Sequence, residues 1–156
     1  MNIIYKIKDK FGKIFFNVKV ENRLYRYIYL YNKRFILTSR FLEKRFSLKY
    51  GCYISRKSKI GKNISFRHPI GVVIGEGVEI SDNVVIYQNV TIGAAKSGDA
   101  AKGLYPKIGK NTTIFSGAVI VGNIKVGDGC IIGANTVLSK DLPDNSIYTI
   151  NSKSDI

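Results

Sequence analysis

A single histidine, His68, is all the imidazole this 156-residue chain carries. One copy therefore cannot build a zinc site of the catalytic kind, which takes about three protein ligands and draws heavily on histidine. No resident metal is expected. Cysteine is nearly as scarce. Cys52 and Cys130 stand far apart, with no CxxC and no histidine beside either. That pattern signals neither a disulfide framework nor a metal clip, and two reduced, buried thiols are expected. No apolar run reaches the ~18–20 residues of a spanning helix, and the first residues interleave charge where a secretory signal would have an apolar block. The chain reads as cytoplasmic.

Acidic residues are missing mainly from the first third. Residues 1–50 hold 13 Lys and Arg against Asp9, Glu21 and Glu43, so +10 of the formal +14 lies there. Such a basic segment suits an anionic membrane surface, an acidic glycan or nucleic acid, or is simply a solvated face. Leu24, Ile28, Tyr31, Leu37, Phe41, Leu42 and Phe46 recur near helical spacing. The expectation over 1–50 is a short α-helical cap covering the open end of the domain made by the rest of the chain.

Beyond residue 50 the chain keeps a period of six. Ile54, Ile60, Phe66, Ile74, Ile80, Ile86 and Ile92 mark it, and after an interruption so do Ile108, Ile114, Ile120, Val126, Ile132 and Leu138. Glycine often stands one residue beyond, as at Gly61, Gly75, Gly93, Gly109, Gly127 and Gly133. Four beyond stand small or β-branched residues, among them Ser58, Ile64, Ile70, Val78, Thr112, Ala118 and Cys130. A helix repeats at 3.6 and a strand at 2; a period of six sustained over 13 units predicts a coil of short strands and corners, stacked on itself. The register slips by two residues between Phe66 and Ile74, next to His68, and by ten between Ile92 and Ile108, making the loop 94–107. Insertions leave a solenoid at its corners, where ligands are met.

Hexads such as 74-IGEGVE-79, 108-IGKNTT-113 and 132-IGANTV-137 resemble those of the hexapeptide-repeat acyltransferases. The resemblance implies a mainly β fold, a left-handed parallel β-helix with three hexads per coil. It places this domain over 51–146, after the 1–50 cap and before a tail at 147–156. It also implies a homotrimer in which each ligand groove is shared by two copies. With three hexads per coil, the third residues of every third unit, His68, Gln88, Ser116 and Ala134, are expected one above another at about the 4.8 Å strand spacing. Gly117 and Asn135 lie beside the last two. Such a groove suits the pantetheine arm of acetyl-CoA, with Ser116, Gly117, Ala134 and Asn135 along the cosubstrate and His68 at its thioester. Imidazole titrates near neutrality and is suited to take the proton of an attacking hydroxyl.

The order 68-HPIGVVIGE-76, 87-YQNVTIG-93, loop, 105-YPKIGKNTTI-114 is similar to the serine acetyltransferase branch. In that branch the histidine opening the first motif is the catalytic base, and Glu76 matches its closing acidic residue. Departures are also present. Tyr105 stands where a second histidine is expected; its phenol can hydrogen-bond a substrate but cannot act as a base at neutral pH. Tyr53 and Arg67 stand about where acidic residues would orient the base and bind an amino acid. Gln88 and Glu76 complete the expected acceptor contacts. The expected activity is acetyl-CoA-dependent O-acetyl transfer to a hydroxyl of a sugar or cell-surface polysaccharide precursor. The alternatives are serine O-acetylation for cysteine biosynthesis and, from another class, a non-catalytic scaffold or a binder of nucleic acid or anionic surfaces through residues 1–50.

Overall fold

A hexad with one aliphatic residue and a small one four places on has just enough apolar surface to fill one side and one corner of a triangle. Stacking the triangles buries those side chains. The computed structural model describes Lys44, Ser47, Leu48 and residues 50–150. Its first coil is β1 (Tyr53–Ile54), β2 (Lys59–Ile60) and β3 (Ser65–Phe66). The second is β4 (Val73–Ile74), β5 (Glu79–Ile80) and β6 (Val85–Ile86). The third is β7 (Thr91–Gly93), β8 (Lys107–Ile108) and β9 (Thr113–Ile114). The fourth is β10 (Val119–Val121), β11 (Lys125–Val126) and β12 (Ile131–Ile132), and β13 (Val137–Leu138) and β14 (Ile147–Tyr148) begin a fifth.

Every pairing is parallel, and all but β12–β14 join strands three apart; there the single Leu142–Val126 bridge takes the place of a face 2 strand. Face 1 is β1-β4-β7-β10-β13, face 2 is β2-β5-β8-β11, and face 3 is β3-β6-β9-β12-β14. The coils form the left-handed parallel β-helix expected from the resemblance. Ile54 stacks on Ile74, Ile92, Ile120 and Leu138; Phe66 stacks on Ile86, Ile114 and Ile132. All are buried, and each contributes on the order of 1.5–3 kcal/mol.

Two expectations need correction. Ile70, taken as a corner residue, is 60% exposed, and Val72 fills that place because the inserted pair lies before it. The winding also passes residue 146: Ile147–Tyr148 pairs with Ile131–Ile132, and Leu142 bridges to Val126. The helical cap over 1–50 lies outside the described residues except at its end. Lys44, Ser47, Leu48 and Tyr50 are helical, and the Gly51 N–H donates to the Ser47 carbonyl at 2.9 Å. Gly51, at φ 60, ends that helix in the left-handed conformation that glycine adopts without strain. No helix among the described residues is long and apolar enough to cross a membrane.

The outward residues differ by face. Face 2 presents Lys59, Glu79, Lys107 and Lys125, with Glu79 paired to Lys59 at 2.8 Å and to Lys107 at 3.8 Å. The hydrogen bond from Lys59 holds the Glu79 carboxyl below the usual glutamate range. A depressed carboxyl stabilises the fold above its unfolded pKa, and that contribution fades as pH falls through the folded value. Glu79→Gln should therefore cost below about 1 kcal/mol at pH 7 in urea unfolding, with the difference shrinking as the pH falls below the ordinary glutamate range. Faces 1 and 3 instead expose Tyr53, Val137, Ile131 and Ile147.

Candidate active site

Corner 3–1, between faces 3 and 1, carries His68. In the regular coils this corner takes four residues in a fixed turn, with the residue three beyond the hexad aliphatic in the left-handed region: Asn89 at φ 57, Gly117 at φ 71, Asn135 at φ 55. In the first coil Gly71, at φ 66, fills that role, and the Asn89 N–H reaches the Ile70 carbonyl at 2.8 Å. Ile70 thus stands above Gln88, where His68 was expected, and the ladder reads Ile70, Gln88, Ser116, Ala134. His68 sits in the extra turn beside the top rung, exposed, itself at φ 51. Among the described residues it is the one left-handed residue that is neither glycine nor asparagine. The turn is closed by the Ile70 N–H donating to the His68 carbonyl at 2.7 Å, and by the Gly71 N–H donating to the Tyr50 carbonyl at 3.1 Å.

Below it the ladder offers hydrogen-bond donors. The backbone N–H groups of Gln88, Ser116 and Ala134 have no acceptor among the described residues, whereas Asn89, Gly117 and Asn135 next to them are bonded to the coil before. Corner 2–3 shows the contrast. There the corresponding N–H groups of Lys62, Lys110 and Asp128 donate to Asp82, Asp128 and Asp144 from the next coil at 2.6–2.8 Å. No described carboxylate lies at corner 3–1 to take up its amides. Gln88 Oε1 is buried without a partner in the same place. Tyr87 and Phe115 stack alongside, ring centroids 5.0 Å apart, with Arg67 in the rung above.

Two of the expected acceptor residues are elsewhere. Glu76 and Tyr105 belong to corner 1–2, from which the loop 94–106 also springs, so within one chain neither shares a corner with His68. Glu76 pairs with Lys57 at 2.9 Å, and this contact raises the Lys57 ammonium pKa. Tyr105 is only 6% exposed. Its ring lies flat over two glycines: a Cβ on Gly77 would come within 2.6 Å of Cε2, and one on Gly75 within 3.1 Å of Cε1. The phenol was expected to hydrogen-bond a substrate; its ring packs at the returning end of the loop, because those two glycines leave a ring-sized recess. Gln88, Ser116 and Ala134, with Gly117 and Asn135 beside the last two, share corner 3–1, and His68 lies in the extra turn of the same corner, outside their column. No cluster of three metal-ligating side chains occurs among the described residues.

Residues 105–140 match the family description "Bacterial transferase hexapeptide (six repeats)". The serine acetyltransferase of Buchnera aphidicola is 40% identical over 115 residues, 74% of this chain and 44% of that protein. Soybean serine acetyltransferase complexed with serine superposes with a TM-score of 0.67 at 34% identity, over 80% of this chain and 51% of the other. A serine acetyltransferase in complex with CoA gives 0.65 at 34%, over 78% and 48%. The chain thus spans about half the length of the relatives it matches. Thirteen hexads in register, the slip that carries His68 and these likenesses agree, and the β-helix of this chain belongs to the hexapeptide-repeat transferases, on their serine acetyltransferase-like branch.

Proposed function

We propose that this protein is an acetyl-CoA-dependent O-acetyltransferase, in which His68 takes the proton from an acceptor hydroxyl as that oxygen attacks the acetyl carbonyl. The carrying observation is the open ladder of amide donors at Gln88, Ser116 and Ala134 next to the chain's single histidine. Donors spaced at about 4.8 Å suit the successive carbonyls of an extended pantetheine arm. In this reading one of these amides stabilises the developing oxyanion, a contribution of about 3–4 kcal/mol where such donors are preorganised. Serine is the acceptor to which the relatives' names point, and it is the first to assay.

A second acceptor, a sugar hydroxyl, is favoured by one feature. Corner 3–1 has no described carboxylate to meet an amino acid's ammonium, and it carries Arg67 together with the flat apolar pair Tyr87 and Phe115. Measured rates of acetyl transfer to L-serine and to a panel of sugars decide between them. Absence of acetyl-CoA binding by calorimetry would sink both.

The split of expected residues over corners 3–1 and 1–2 is resolved if the chain forms a homotrimer. Corner 3–1 of one copy then faces corner 1–2 and the loop of its neighbour, and the apolar residues on faces 1 and 3 become contacts. A heterologous ring of this kind allows complementation. His68→Ala and a variant lacking residues 95–104 should each be inactive alone. Refolded together in equal amounts, they should regain about a quarter of the wild-type activity, since one site in roughly four pairs two intact halves. No recovery on mixing would confine the site to one chain.

A further inference from the structure

The extra turn that carries His68 is held from the first coil by a thiol. Cys52, 4% exposed, donates its Sγ–H to the Pro69 carbonyl at 3.1 Å, with a longer contact to the Tyr50 carbonyl at 3.6 Å. The Pro69 carbonyl belongs to the inserted pair, so no coil N–H is in register to meet it. In the same column the later coils use Val72, Val90, Ala118 and Thr136. In a column of small side chains the first coil therefore has one that carries a donor where a donor is needed. Burial pushes the Cys52 thiol pKa up, which keeps the proton on sulfur.

Resting on the reading of His68 as the base, we propose that Cys52 is a positioning residue: its thiol clasps the Pro69 carbonyl and fixes the left-handed turn that presents His68 to the ladder. The fold supplies its own control. Cys130, fully buried at corner 2–3, donates to the Pro143 carbonyl at 3.0 Å, the same bond placed away from His68.

The test uses the full chain and three variants. Cys52→Val loses the donor and installs the residue that the next two coils carry in the same column, Cys52→Ser keeps a donor, and Cys130→Val removes the control clasp. Cys52→Val should lower kcat about tenfold, because small displacements of a reacting group are costly, while the KM for acetyl-CoA stays within about twofold. Cys52→Ser should recover most of the loss, and Cys130→Val should leave kcat unchanged. A second readout needs no activity. With one histidine in the chain, the imidazole gives a single Hε1 NMR signal, expected to be narrow in the wild type, Cys52→Ser and Cys130→Val and shifted or broadened in Cys52→Val. If Cys52→Val keeps wild-type kcat and signal, or if Cys130→Val loses as much activity, the clasp is overturned. If the wild type transfers no acetyl group, the function fails and the NMR signal alone judges the clasp.

Discussion

His68→Ala should lower acetyl transfer by roughly 10²–10⁴-fold, the span that general-base help supplies. The loss should fall on kcat, with acetyl-CoA affinity by calorimetry close to wild type, since the amides of Gln88, Ser116 and Ala134 are untouched. Stability should also hold. The side chain is exposed, and the turn is kept by backbone bonds and the Pro69 carbonyl. Relief of the left-handed strain is not expected, because alanine meets the same steric limit there as histidine. Wild-type kcat in this variant would remove His68 from the chemistry and return it to an exposed turn residue.

Gly109→Ala should be the most damaging small change to the fold. A Cβ at that position would run into the backbone carbonyl of Gly127 in the next coil and lie 2.5 Å from Asp128 Oδ1. Backbone cannot yield as a side chain tip can, so the coils must part. A loss of about 2–4 kcal/mol and a Tm lowered by roughly 5–15 °C are expected in thermal unfolding. Gly93→Ala is the matched control, one residue beyond Ile92 in the same hexad position. Nothing lies within 4 Å of its added Cβ, because the chain leaves the coil there for the loop. Its cost should stay within about 0.5 kcal/mol. Equal effects at the two positions would show that strand propensity, and not the approach of neighbouring coils, explains the Ile-Gly pattern.

The hexad register was legible because burial imposes it: each aliphatic side chain marked by the period faces the interior, from Ile54 to Leu138. An insertion is different. Periodicity shows that two residues are extra between Phe66 and Ile74 but not which two leave the wall. The bond from the Asn89 N–H to Ile70 decides that it is the histidine's turn that bulges. A signal for this was present. Asparagine or glycine stands three beyond the hexad aliphatic at Asn63, Asn83, Asn89, Asn111, Gly117, Gly129 and Asn135, all left-handed, and between Phe66 and Ile74 Gly71 is the one asparagine or glycine that continues the series. Glu76 could also have been placed by counting, since it lies one unit beyond His68 and so turns one corner further. Burial of Tyr105 could not. It depends on two missing side chains, at Gly75 and Gly77, opposite a ring thirty residues away in sequence. Of the basic segment 1–50, read as a cap, all but Lys44, Ser47, Leu48 and Tyr50 lies outside the described residues.

The aspartates of corner 2–3 suggest how one repeated motif yields both wall and dock. Each coil closes the amides of the coil before it whenever its own turn carries an acidic side chain, as Asp82, Asp128 and Asp144 do. Corner 3–1 repeats the backbone and withholds the acid, with Gln88, Ser116 and Ala134 in its place. Receptivity here is therefore set by composition at one position per coil: neutral residues leave the edge hungry for carbonyl oxygens, and three successive ones fix how long a molecule that edge can grip.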